Sequence, residues 1–160
     1  MIRLINEDEL FNLTNELSKK HFHKPFKHVV KYNNRLQTTG GRYIPSLKTI
    51  EINPKYVREM KREAVIGIIK HELCHYHLHI EGKGFKEKDP DFIKLLKKTG
   101  APKYCEPLPS TMKRHIYVCT KCGLEYKRKR HVNTKRFKCG YCFGKITFVQ
   151  TIDEANLTIN

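Results

Sequence analysis

No stretch of this chain is apolar for long enough to cross a bilayer. The longest such run, Ala64 to Ile69, spans six residues and is interrupted by Gly67. A secretory leader is also missing: Met1 to Glu9 is acidic where a leader would be basic and then apolar. These absences point to a cytoplasmic protein with no membrane partner. In that compartment the six cysteines are expected to be metal ligands and free thiols rather than a disulfide framework. Acidic residues are scarce, 16 against 32 Lys and Arg, which leaves a net charge of +16. That excess goes beyond what solubility needs and argues for a polyanionic partner: nucleic acid first, with acidic membrane surfaces or acidic proteins behind it. There is no internal repeat.

The chain has 160 residues, 39% of them hydrophobic, enough for one real core plus a small appended module. Asn6-Glu7-Asp8-Glu9 carries a capping box, and Leu10, Leu13 and Leu17 follow at helical spacing with Phe11 and Phe22 beside them. A first helix is therefore expected from about Asp8 to His21. Three short strands follow: His28–Asn33, Arg42–Ile44 after a Gly40-Gly41 turn or bulge, and Lys48–Asn53. The last alternates polar and apolar residues as a half-buried strand should. Asn53-Pro54 opens a second helix running to about His79, with a break before Glu63. Asp89-Pro90 opens a third, which stops near Gly100. The fold class is thus α+β, with a small antiparallel or mixed sheet. A domain boundary is expected in the proline-bearing stretch that ends at Met112, giving units 1–112 and 113–160.

The N-terminal unit is organised around His71-Glu72-Leu73-Cys74-His75, a His-Glu-x-x-His pattern at the end of the second helix. Residues four apart share a helix face, so His71 and His75 can offer two imidazoles to one ion. Glu72 sits about 100° round the helix, where it can take a proton from a water on that ion. Nitrogen ligands suit zinc, whose catalytic sites keep one position open for such a water. Cys74 points away from that face and is expected in the core. Cys105 has no matched partner and is expected to be structural.

The C-terminal unit holds Cys119-x-x-Cys122 and Cys139-x-x-Cys142 with sixteen residues between the pairs. Two such knuckles can close a four-thiolate zinc site, whose filled positions make it structural rather than catalytic. A redox role for Cys-x-x-Cys lacks its usual βαβ setting here. Ile116-Tyr117-Val118 leads in and Lys145-Ile146-Thr147-Phe148-Val149 leads out as a strand, as in a zinc ribbon. So small a module depends on the metal for its folding energy. From Thr111 to Lys145 there are eleven Lys or Arg and one acid, Glu125. Lys127, Arg128, Lys129 and Arg130 are expected on a hairpin between the knuckles. With Tyr126 and Phe137 near, that hairpin could grip phosphates and stack bases.

Taken together, these motifs resemble the SprT-like proteins, a zincin-type metalloprotease-like group that includes the eukaryotic protease Spartan. The marks of the resemblance are Tyr32-Asn33-Asn34-Arg35-Leu36, Thr38-Thr39-Gly40-Gly41-Arg42-Tyr43, Ile50-Glu51-Ile52-Asn53-Pro54, His71 to His75, Gly100-Ala101-Pro102 and the ribbon. The resemblance covers nearly the whole chain. It implies a zincin-like α+β domain with zinc held by His71 and His75 and Glu72 as the catalytic carboxylate. Many relatives place a third histidine ligand shortly after the motif; Phe85 to Asp91 contains none. His79 lies roughly 12 Å up the helix axis from His71 and cannot easily close a tetrahedron. A carboxylate is the physical substitute. Glu87 is the first choice, with Asp89, Asp91 and Glu81 as alternatives.

Two readings follow. In the first, the chain is a monomeric zinc endopeptidase acting on a protein or peptide substrate and brought to nucleic acid by its ribbon. One of Tyr76, His77 or His79 would then stabilise the oxyanion. In the second, it is a non-enzymatic nucleic-acid-binding protein whose His-Glu site is a weak or structural metal site.

Overall fold

The structure is a computed structural model that describes residues 4–154. The chain divides into two compact units between Leu108 and Pro109. No helix among the described residues is long and apolar enough to cross a membrane.

The N-terminal unit begins with α1, Glu7–Phe22. Its start is fixed by a reciprocal cap: Asn6 Oδ1 accepts from the Glu9 N–H at 2.8 Å, and Glu9 Oε2 accepts from the Asn6 N–H at 2.9 Å. Acids fill the first turn and Lys19, Lys20 and His21 the last, matching the helix dipole at both ends. Leu10, Leu17 and Phe22 are buried, while Phe11 and Leu13 pack at the edge of the core.

Three strands follow: β1 Val29–Tyr32, β2 Gly41–Ile44 and β3 Thr49–Ile52. They form a mixed sheet in the order β1-β3-β2, with β1 parallel and β2 antiparallel to the central β3. The expected half-burial of β3 is not found, since all four of its residues are buried. Its polar face is covered by a charge cluster. Glu51 accepts from Arg42 Nε at 2.6 Å and Asn33 Nδ2 at 2.7 Å, and Lys31 Nζ lies 3.8 Å away.

Asn53 caps α2, Pro54–Glu59, through the Lys55 N–H. Met60 and Lys61 are extended, which breaks the helical run. Helix α3, Arg62–Ile80, then crosses the unit against α1, β2 and β3, and α4, Pro90–Thr99, packs against it. Leu73 and Ile69 of α3 are fully buried.

The C-terminal unit is an antiparallel sheet of β4 Lys113–Cys119, β5 Glu125–Arg128 and β6 Ile146–Asp153, in the order β5-β4-β6. The basic run lies on the second strand of the β4–β5 hairpin and just after it. Lys127 and Arg128 belong to β5 itself, and the tight turn from β4 to β5 is the first knuckle, Cys119 to Cys122.

Burial alone would raise the pKa of Glu51; the Asn33 hydrogen bond and the Arg42 and Lys31 charges more than offset this and leave it lowered. A carboxylate whose folded pKa is lowered stabilises the fold fully above its unfolded pKa of about 4.3 and loses that contribution as pH falls through the folded value. Glu51→Gln is expected to cost about 2 kcal/mol at pH 7, with the gap to wild type narrowing steadily in acid. Urea unfolding followed by circular dichroism between pH 7 and pH 2.5 measures this; a gap independent of pH would refute it.

Candidate functional site

Helix α3 presents different residues to different surroundings. Cys74 is fully buried and touches the Thr99 hydroxyl on α4, as a core thiol does. His71, Glu72 and His75 face an open cleft of about 620 Å³, walled by β2 on one side and by the segments around Phe85 and Pro102 on the other. Two glycines allow that closeness. A Cβ on Gly41 would lie 3.1 Å from Glu72 Cγ, and one on Gly67 would lie 3.0 Å from Pro102 Cγ. Gly67, which looks like a mere interruption of an apolar helix in the sequence, is where Pro102 sits down on α3.

That seating orients the histidines. His71 Nδ1 donates to the Pro102 carbonyl at 2.8 Å, and His75 Nδ1 donates to the Phe85 carbonyl at 2.5 Å. A carbonyl can only accept, so both rings carry a proton on Nδ1, and in the neutral form of each ring Nε2 presents a bare lone pair. The two Nε2 atoms stand 3.2 Å apart. With no hydrogen between them this contact is repulsive unless a cation lies there. The spacing suits zinc, since two nitrogens on a tetrahedral ion at 2.0–2.1 Å stand about 3.4 Å apart. Burial, the leading influence, lowers the pKa of His75 and favours the neutral ring a metal needs.

Glu87 completes the donor set. Its Oε1 is 3.9 Å from His71 Nε2, and one ligand atom from each of His71, His75 and Glu87 lies within 4.8 Å of the others. The other carboxylates weighed from the sequence are engaged elsewhere: Asp89 accepts from the Lys86 N–H, Asp91 from the Gly84 N–H, and Glu81 pairs with Lys24 and Lys83. Glu72 is buried beside this group. Burial, followed by the negative charge of Glu87, pushes its pKa up to about 8, while a hydrogen bond from the Tyr43 backbone pulls the other way.

Of the three residues considered for oxyanion stabilisation, Tyr76 is buried with its hydroxyl on His28 Nδ1 at 2.7 Å. His77 is buried too, with Nε2 2.7 Å from the Ser18 hydroxyl. That pair is not a nucleophilic dyad. Ser18 Oγ also bonds the Lys24 carbonyl at 2.6 Å, so its proton goes there and the His77 N–H must be the donor to Ser18. His79 bonds the hydroxyl of Tyr43, a residue that lines the cleft. Cys105 is exposed at the rim of the cleft rather than packed in the core.

In the C-terminal unit Cys119, Cys122, Cys139 and Cys142 converge. Cys119 and Cys142 sulfurs are 3.4 Å apart and those of Cys122 and Cys139 are 3.6 Å apart, far beyond a disulfide and close to the edge of a four-sulfur zinc tetrahedron. The Lys121 and Cys122 N–H groups point at Cys119 Sγ. The Tyr126 hydroxyl, 3.0 Å from Cys139 Sγ, is the leading cause of a Cys139 pKa lowered to about 6, which favours the thiolate. The donor set fits a structural zinc. Among the four basic residues predicted to bind nucleic acid, Arg128, Lys129 and Arg130 line a cavity of about 580 Å³ together with Tyr117, Tyr126 and Phe137. Lys127 is not part of that lining.

Residues 8–114 match the SprT-like family, and residues 113–150 match the SprT-like zinc ribbon domain. A protein named SprT-like from Oceanobacillus iheyensis is 54% identical over 147 residues, covering 91% of this chain and 98% of its own length. A protein of the same name from Bacillus subtilis is 50% identical over 145 residues, covering 89% and 97%. The crystal structure of the metallopeptidase zymogen of Pyrococcus abyssi abylysin aligns with 58% of this chain and 81% of its own at 17% identity. The TM-score is 0.43.

The ribbon's dependence on its metal gives a direct expectation. Cys139→Ser should lower the zinc content by one ion per chain and collapse the amide spectrum of residues 113–153, because among the described residues Cys119, Cys139 and Ile146 are the buried heart of its metal-side core. Elemental analysis and amide NMR read both effects; a well-dispersed ribbon without metal would refute the assignment.

Proposed function

This chain belongs to the SprT-like family, and from that premise we propose that its N-terminal unit is a zinc-dependent endopeptidase. The observation that carries the reading is the pair of Nε2 lone pairs 3.2 Å apart, each locked by a backbone carbonyl, with a buried carboxylate beside them in an open cleft. His71, His75 and Glu87 would hold the zinc, which when bound supplies a Lewis acid for the scissile carbonyl and lowers the pKa of a water in its open position.

Glu72 has the proton work. The positive charge of bound zinc would offset the burial that raises its pKa, and its carboxylate then takes a proton from the attacking water and passes it to the leaving amine nitrogen. The Tyr43 backbone hydrogen bond fixes that carboxylate, and Gly41 lets β2 come close enough to make it. Strand β2 lies at the edge of its sheet, and its residues Gly41, Arg42 and Tyr43 line the cleft. An extended peptide laid there can add to the sheet by main-chain hydrogen bonds, a mode that favours unfolded segments as substrate. The basic ribbon would bring the enzyme to nucleic acid and so to proteins held on it, within the cytoplasm.

A second reading rests on the concentration of charge in the ribbon, eleven Lys or Arg against one acid between Thr111 and Lys145. In it the chain binds nucleic acid without cleaving anything, and the His71–His75 site is a weak or structural metal site.

Two variants separate the readings. Glu72→Gln should retain two zinc ions per chain and lose roughly 10²–10⁴-fold in cleavage of an unfolded protein such as casein. Undiminished cleavage would sink the mechanism, and the absence of cleavage by the zinc-loaded wild type with or without DNA would favour the second reading. Glu87→Ala should weaken zinc binding at the N-terminal site by at least about tenfold while leaving the ribbon ion in place. Competition with a chromogenic chelator measures this, and an unchanged affinity would remove Glu87 from the ligand set.

A further inference from the structure

The cleft of the N-terminal unit has a direction. Gly41 of β2 lies over Glu72, and Tyr43, two residues on, packs its ring against Tyr76 and His79. Strand and helix α3 therefore run the same way along the cleft, and a peptide laid on β2 passes both metal-site histidines. Each of these rings is held by a backbone carbonyl, and in both cases the residue after that carbonyl is a lysine. Lys103 follows Pro102, behind His71, and Lys86 follows Phe85, behind His75. One cation thus stands at each end of the histidine pair.

Both lysines line the cleft and both are exposed. Among the described residues neither pairs with a carboxylate. Lys103 Nζ rests 5.3 Å from the centre of the Tyr104 ring. The remaining cation of the lining, Arg42, is committed to Glu51. The carboxylates of the lining are Glu72 and Glu87, the proton-transfer group and a metal ligand. What is left for a substrate's side chains to meet is positive on both sides of the reacting centre. A nucleic-acid strand fits this arrangement poorly, since it carries a charge at every residue and would lay one across Glu72 and Glu87. A peptide places neutral backbone there and can set single carboxylates at the two ends. In an extended peptide the second residue on either side of the scissile bond is about 7 Å from it, which suits a lysine rooted beside each histidine.

We infer that Lys86 and Lys103 select substrate segments with acidic side chains on both sides of the bond to be cut. This rests on the endopeptidase reading and names the substrate class of the same cleft. For a protein held on nucleic acid, the segments taken are then the acidic ones turned away from the phosphates, not the basic face that grips them.

The test gives the full-length, zinc-loaded chain three internally quenched peptides. They are identical but for the second residue on each side of a central Ala-Leu bond, which is Asp, Asn or Lys, and mass spectrometry identifies the bond cut. With two exposed ion pairs, kcat/KM for the Asp peptide should exceed that of its Asn isostere about fivefold and that of the Lys peptide at least about tenfold at about 50 mM KCl. Both ratios should shrink at about 500 mM KCl. Lys86→Glu/Lys103→Glu should invert the ranking, so that the Lys peptide is cut fastest. Ratios within one enzyme are insensitive to a fraction of unfolded or metal-free protein. The same order should appear in the affinity of zinc-loaded Glu72→Gln for singly labelled versions of the peptides, read by fluorescence anisotropy without cleavage. Equal cleavage of all three by wild type, or a preference that the double variant leaves intact, overturns the inference and leaves the endopeptidase reading standing. No cleavage of the peptides or of casein by wild type overturns both. If the double variant keeps the peptide order but loses affinity for a labelled oligonucleotide, the two lysines serve nucleic acid and the inference fails.

Discussion

Two imidazole nitrogens with their lone pairs turned toward each other at 3.2 Å make an arrangement that no neutral protein favours by itself. It persists because each ring is held from behind. The Pro102 carbonyl fixes one ring and the Phe85 carbonyl the other, and these come from segments on opposite sides of α4. Both segments must therefore be in place before the pair exists. Phe85 brings Glu87 with it, and Pro102 reaches α3 only because Gly67 has no side chain. The facing pair of nitrogens is in this sense a property of the whole N-terminal unit rather than of the five-residue motif.

The same helix shows how position sorts histidines into roles. His71 and His75 face the cleft; His77 is buried against Ser18 and stacks on Phe22; His79 answers Tyr43. Burial lowers the pKa of His77 to about 4, which keeps it a neutral hydrogen-bond donor in the core. Four histidines lie along the second half of α3, and the two that share a face with the open cleft are the ones grouped with Glu87. Glu72 has a comparable dual position. It is buried enough for its charge to be costly, yet it borders the cleft from which a substrate would come.

In the ribbon the constraint is different. Four sulfurs converge where the apolar content is slight, so the ion replaces a core. Away from the sulfurs Ile116 and Tyr117 are buried, while much of the remaining surface is exposed and basic and Phe137, Tyr141 and Phe143 are turned to solvent. A metal-centred fold tolerates this because its stability does not depend on burying those three rings.

What the sequence determined by itself was local and periodic. Spacing of four placed His71 and His75 on one helix face; two Cys-x-x-Cys pairs located the ribbon site; Asn6 and Glu9 announced their reciprocal cap. The α+β class and a small sheet, antiparallel or mixed, were legible for the same reason, since strands and helices write their period into the chain; the parallel β1–β3 pairing that makes the sheet mixed came from the tertiary structure. Tertiary structure decided the rest. The alternating pattern of β3 suggested a half-buried strand, but Arg42, Asn33 and Lys31 close over Glu51 and bury it. The basic run was expected on a hairpin between the knuckles, and strand pairing decided which of its residues, Lys127 and Arg128, lie on β5 itself. Glu87 was the first choice from the sequence, ahead of Asp89, Asp91 and Glu81, and the structure adds its distance to His71, a matter of how one loop folds back. The Pro102 and Phe85 carbonyls had no sequence signal at all. Every residue carries a carbonyl, so which one faces a given imidazole is settled by packing between segments far apart in the chain.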